Sequence, residues 1–240
     1  MKSKVRGTRK VKGRSRLWLG VLPALMLPLL GSLFYFVIAG AHPAARWGYG
    51  LVKAFTLMWP VVVLCWWREP IRFRLARSVG IGRSLLEGGG SGIVMGGIVL
   101  VALLTPVRGV ADGASGAITA KLTVLGLLDS YWIFAIVLAV GHSLLEEYYW
   151  RGFVFGQLRR LLPLGWAHGL AGFSFSWHHI VLCSQFFPLG WALVFGGCVM
   201  GAGCVWSVLY ERHGHFWGAW ISHVIVDVVL LGLGGMIVFG

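Results

Sequence analysis

Two adjacent glutamates stand out in this chain. Glu146 and Glu147 occur in the stretch GHSLLEEYYWRGF, which is otherwise mainly apolar and aromatic. Only eight acidic residues occur among 240, and Glu146, Glu147 and Asp227 fall where hydropathy predicts membrane. An ionised side chain near mid-bilayer costs about 2.5 kcal/mol or more, so such residues face the protein interior or a water cavity and mark functional sites. Glu147 and Arg151 are four residues apart, share a helix face and can form an ion pair. Glu146 is rotated about 100° from that face, with His142 one turn before it. Further along, Phe175-Ser176-Trp177-His178-His179 places imidazoles in a second apolar segment, and His223-x-x-x-Asp227 sets another pair on one face of a third. If Glu146, His179, His223 and Asp227 converge, they supply a base, imidazoles and a second carboxylate in apolar surroundings. Burial makes a carboxylate more basic, which suits proton transfer. Water activated there could attack a peptide carbonyl, with imidazole donors stabilising the oxyanion.

The elements that must position these groups are membrane helices. The chain is 58% hydrophobic and 12% charged, against about 25% charged in a soluble domain. Apolar runs near the ~20 residues of a crossing recur, and the short polar/apolar alternation of an outer-membrane barrel is missing. An all-α, polytopic integral membrane helical bundle of about seven transmembrane helices is predicted. Its crossings are Leu17–Ala39, Trp47–Trp67, Gly92–Pro106, Tyr131–Trp150, Trp166–Cys183, Gly190–Tyr210 and Trp217–Phe239. Residues 1–16 read as a basic cytoplasmic tail. Residues 17–240 read as a single membrane domain, with the catalytic core in about 131–240. The first apolar run exceeds a signal h-region, so a retained helix is expected. The run Gly88-Gly89-Gly90-Ser91-Gly92 reads as a flexible loop end, and Val107–Ser130 as an outer loop. Gly92-x-x-x-Gly96 and Gly197-x-x-x-Gly201 have the spacing that lets membrane helices approach closely.

Charge and cysteine exclude other classes. The net charge of +13 is concentrated in Lys2, Lys4, Arg6, Arg9, Lys10, Lys12, Arg14 and Arg16 before the first crossing, and in Arg68, Arg72, Arg74, Arg77 and Arg83 after the second. Such clusters mark the cytoplasmic side and attract anionic lipids; no nucleic-acid partner is expected. Arg151, Arg159 and Arg160 are placed on the same side. Cys65, Cys183, Cys198 and Cys204 form no C-x-x-C pair and read as small buried side chains.

The pattern Glu146-Glu147-YYW-Arg151, then Phe175-SWH-His179, then His223-VIV-Asp227 resembles the CPBP family, also called the CAAX protease and bacteriocin-processing or Abi family. The likeness covers about Ala139 to Leu230. It implies an intramembrane endopeptidase, a hydrolase of peptide bonds in membrane-embedded or lipid-anchored protein or peptide substrates. By the resemblance Glu146 and His179 activate water, His223 and Asp227 support the oxyanion, and Glu147–Arg151 is structural. Many relatives carry Asn where this chain has Asp227; Asn donates a hydrogen bond, and Asp does so only when protonated. No cofactor is favoured, because the H-E-x-x-H zinc pair is missing. If a divalent metal such as zinc is present, Glu146, His179, His223 and Asp227 are the expected ligands. The chain's length fits a bacterial inner-membrane protein with a cytoplasmic N-terminus. Competing readings are a non-catalytic membrane scaffold or immunity protein, an ion- or proton-coupled transporter, and a rhomboid-like serine protease using Ser115 in Gly113-Ala114-Ser115-Gly116 with His168.

Overall fold

The computed structural model describes residues 3–40, 42–69 and 80–240, with side chains from Gly13 onward. The basic residues from Lys2 to Lys12, and Arg72, Arg74 and Arg77, therefore lie outside the described side chains. Every regular element described is helical. Helix α1 (Ser3–Ser32) runs on as a π-helical turn, Leu33–Ile38, and is followed by α2 (Ala44–Trp67) and α3 (Ile81–Ala102). Two short helices, α4 (Val107–Gly113) and α5 (Ser115–Leu125), come next. A long composite helix then alternates α6 (Tyr131–Ile136), a π segment (Val137–His142), α7 (Ser143–Glu146), a second π segment (Glu147–Phe155) and α8 (Gly156–Leu161). Helices α9 (Leu164–Cys183), α10 (Leu189–His213) and α11 (Trp217–Phe239) complete the bundle.

Five helices are long and apolar enough to cross a membrane: Gly13–Ile38, Ala44–Trp67, Ile81–Ala102, Leu189–His213 and Trp217–Phe239. The other two expected crossings are helical as well, and are the segments that carry Glu146, Glu147, Arg151, His178 and His179. An all-α membrane bundle is thus the architecture, and seven is an approximate count of its crossings.

Four sequence expectations change. The third helix begins at Ile81, so the glycine run is helix and not loop. Its buried stripe of Ser84, Gly88, Gly92 and Gly96 packs on α11. A Cβ on Gly88 would lie 2.1 Å from the Gly218 carbonyl oxygen, and one on Gly92 would lie 2.9 Å from that of Ser222. Glycine here permits backbone contact, the usual basis of membrane helix association. Gly197 and Gly201, by contrast, face open space, and the close approach of α10 to α9 occurs at Gly172, Gly196 and Gly203. The segment Val107–Ser130 is mostly α4 and α5, with Ser115 opening α5. Finally, Cys65 and Cys198 are exposed; all four thiols are free.

Proline and tyrosine fasten the composite helix to α1. Pro28 has no N–H to offer the Ala24 carbonyl, an exposed acceptor that apolar surroundings leave unmet. The Tyr149 hydroxyl donates to that oxygen at 2.8 Å. Tyr149, Phe153, Val154, Phe155 and Leu158 are fully or almost fully buried in the main core with Val21, Ala24 and Phe175. The two residues that precede this core on the composite helix are the glutamates of the site.

Candidate active site

The interruption of the composite helix by π turns is centred on Glu146 and Glu147: i→i+5 bonding precedes and follows the short α7. Such wide turns inside α-helices recur at functional sites. They let neighbouring residues address different helices, and here the two glutamates have separate surroundings.

Glu147 is fully buried. Its Oε1 accepts from Arg151 Nη1 at 2.9 Å and from His223 Nδ1 at 2.9 Å. Arg151, 1% exposed, also donates to the Gly203 carbonyl at 3.2 Å. Its guanidinium lies 4.6 Å from the centre of the Phe175 ring and 5.0 Å from that of Trp206. A side chain at Gly203 would crowd Arg151 Nη2, so the glycine makes room for the fork. The expected ion pair is present. Arg151 belongs to the bundle interior, however, and not to an inner loop as the charge count supposed. Glu147 also does more than balance a charge, because it fixes the His223 ring from one side while Trp206 stacks on it at 3.9 Å.

Glu146, 6% exposed, has no guanidinium beside it among the described residues. His142 Nε2 and His178 Nε2 each lie 3.2 Å from its Oε1, and His223 Nε2 lies 3.8 Å from Oε2. His223 Nε2 is also 3.6 Å from Asp227 Oδ1, whose side chain remains 21% exposed. His179 Nδ1 donates to the Phe175 carbonyl at 3.0 Å. This i−4 bond is what the F-x-x-x-H spacing provides, and in the neutral ring it leaves Nε2 as a lone-pair acceptor. Glu146, His179, His223 and Asp227, on three separate elements, are therefore neighbours around one locus.

Sequence reasoning missed two members. His178 lies outside the F-x-x-x-H motif, yet it hydrogen-bonds Glu146 and stacks on Trp150 with 4° between the rings. The second is Lys53, on α2. Its Nζ lies 3.2 Å from His142 Nδ1. An ammonium only donates, so His142 accepts at Nδ1 and is left to donate from Nε2 to Glu146. The signal was available: a lysine within an apolar crossing is a functional candidate by default. His168 lies elsewhere, stacked on Phe155 at 4.7 Å.

A cavity of about 20 Å³, lined by Lys53, Thr56, Glu146, Tyr149, Trp150 and His178 among others, adjoins the carboxylate. That is room for about one water molecule. The compact set able to hold a metal is Glu146, His178 and His179, whose ligand atoms lie within 4.8 Å of one another. His223 and Asp227 fall outside it, which changes the ligand set expected from sequence.

The charges of the locus come close to balance. Glu146, Glu147 and Asp227 face Arg151 and Lys53. One further proton, on an imidazole or a carboxyl, makes the cluster neutral, and uncompensated charge in such surroundings is strongly unfavourable.

Comparison with known proteins bears on this region. Residues 128–229 match the model of a family described as Type II CAAX prenyl endopeptidase Rce1-like. No curated protein and no solved structure matches the chain. The matched stretch contains every residue of the three motifs, and it is similar to the Rce1-like CAAX prenyl endopeptidase family, in line with the CAAX protease grouping that those motifs resemble.

Proposed function

We propose that the protein is an intramembrane endopeptidase that hydrolyses a peptide bond in a membrane-embedded or lipid-anchored protein or peptide. The observation that carries this reading is the Glu146 carboxylate, buried among imidazoles without a cationic partner in contact and adjoining a cavity of one-water size. A structural carboxylate resembles Glu147, paired with a guanidinium; Glu146 is poised for proton transfer.

Glu146, with His179 Nε2 as a second acceptor, removes a proton from the bound water as its oxygen attacks the carbonyl carbon. The resulting oxyanion is met by His223 Nε2–H, which requires the imidazolium form because Nδ1–H is held by Glu147. Asp227 faces the same nitrogen and stabilises that form. Collapse of the tetrahedral species breaks the C–N bond, and the proton held by Glu146 passes to the leaving nitrogen. The products are a carboxylic acid and an amine. Lys53, through His142, fixes the orientation of Glu146, and His178 holds it from the other side. Were a divalent ion bound, Glu146, His178 and His179 would hold it, and it would supply Lewis acidity. We place the protein in a bacterial inner membrane with the N-terminus cytoplasmic, following the charge asymmetry of its loops.

The test compares membrane proteomes from cells carrying the parent or Glu146→Gln, and scores ion flux through the purified protein in liposomes. An unprocessed membrane precursor that accumulates only with Glu146→Gln is the expected result. Identical proteomes, or Glu146-dependent ion flux without any precursor, would replace the protease with a scaffold or a transporter.

A further inference from the structure

The basic residues at the start of α1 do more than supply diffuse charge. An open cavity of about 540 Å³ lies where the start of α1, the end of α2 and the turn after α8 meet, lined by Arg14, Arg16, Trp67, Glu69, Arg160 and Leu162 among others. Its size falls in the range of small-ligand sites. Each arginine is held by the protein. Arg14 Nη2 donates to the Leu161 carbonyl at 2.9 Å, at the end of α8. Arg16 donates to the Trp66 carbonyl, at the end of α2, with its guanidinium 5.3 Å from the centre of the Trp66 ring. Arg160 forks onto Glu69 at 2.8 and 2.9 Å.

Among the described residues, Glu69 is the sole carboxylate on this cavity, and neither Arg14 nor Arg16 pairs with an acid. Three guanidiniums against one carboxylate leave a surplus of two positive charges around a concave surface. Helix-end carbonyls take part of the Arg14 and Arg16 forks, orient them and leave other N–H donors free. Planar forks match phosphate oxygens. Leu17, Trp67 and Leu162 form an apolar wall beside them. The cavity sits where the apolar run of α1 begins and α2 ends in two tryptophans, the level of the polar headgroups.

We infer that this cavity binds the phosphate of an anionic phospholipid headgroup, with the first acyl carbons against the apolar wall. A soluble phosphate shares the headgroup's charge and not its chains, so the two sources separate experimentally. The inference is independent of the proteolytic reading, because its test reads binding.

The full chain, purified in a neutral detergent, is titrated with short-chain phosphatidylglycerol, short-chain phosphatidylcholine or inorganic phosphate, and bound ligand is counted by native mass spectrometry. One saturable phosphatidylglycerol site is expected, with weak binding of the other two. Each arginine removed is expected to weaken it about fivefold, so Arg14→Gln with Arg160→Gln weakens it about 25-fold. Removing the same number of charges from the tail, by Lys4→Gln with Arg6→Gln, is expected to change it less than threefold. If the double variant does not purify, Arg16→Gln alone is read for its fivefold loss. Equal losses from tail and cavity variants would reduce the effect to diffuse surface potential and overturn the site. Unchanged binding in the arginine variants, or equal affinity for inorganic phosphate, would overturn it too.

Discussion

Glu146 and Glu147 are consecutive in sequence and share His223 as a neighbour, yet the rest of their surroundings differ. On one side of the composite helix, Glu147 meets Arg151, whose guanidinium lies against two aromatic rings. On the other, Glu146 meets three imidazoles, a lysine one imidazole away, and space for about one water. The first arrangement holds a charge still; the second leaves one able to move a proton. The contrast teaches that burial alone does not identify a catalytic carboxylate. What its oxygens are bonded to decides.

The comparison breaks most severely on the Glu147 side. Glu147→Gln leaves Arg151 buried and unpaired, and losing one partner of such a pair destabilises by about 3–5 kcal/mol. A large fall in melting temperature or folded yield in lipid is expected; an unchanged melting temperature would mean the pair is dispensable. Replacing both partners, by Glu147→Leu with Arg151→Met, is expected to recover most of the stability while slowing cleavage, because His223 loses its acceptor. Recovery of full activity would remove the positioning role assigned to Glu147.

Smaller effects sharpen the Glu146 side. Asp227→Ala removes the acid facing His223 Nε2, and a fall of about 10²–10³ in kcat is expected, the size of losing one oxyanion contact. Asp227→Asn loses the charge that stabilises the His223 imidazolium and gains an N–H able to donate to the oxyanion, and is expected to stay within about tenfold of the parent; equal loss in both variants would tie function to the charge of Asp227. Lys53→Met is expected to lower kcat about tenfold with little change in KM, since it acts through His142. Lys53→Arg is expected to restore much of the rate, and a change confined to KM would instead place Lys53 on the substrate.

Much of this was legible in the sequence, for reasons that particular residues make plain. Apolar length located α1, α2, α10 and α11, because each crossing satisfies its own backbone. The four-residue spacings of Glu147–Arg151, Phe175–His179 and His223–Asp227 became contacts, because helical geometry fixes neighbours at that interval. The glycine run of α3 was misread because glycine weakens a helix in water, whereas against α11 the missing side chains are what allow contact. His178 was hidden by tertiary packing: its ring centre is 4.1 Å from that of His179, and only the position of the composite helix determines that both rings attend Glu146. Lys53 depends on α2 lying against that helix, a fact that no local spacing encodes.

The most direct measurement is the rate of peptide cleavage per folded molecule by Glu146→Gln in lipid, once a processed precursor supplies the substrate. The account predicts a loss of at least about 10³-fold, with a melting temperature close to that of the parent. Cleavage within tenfold of the parent rate would contradict it, and the water-activating base would have to lie elsewhere.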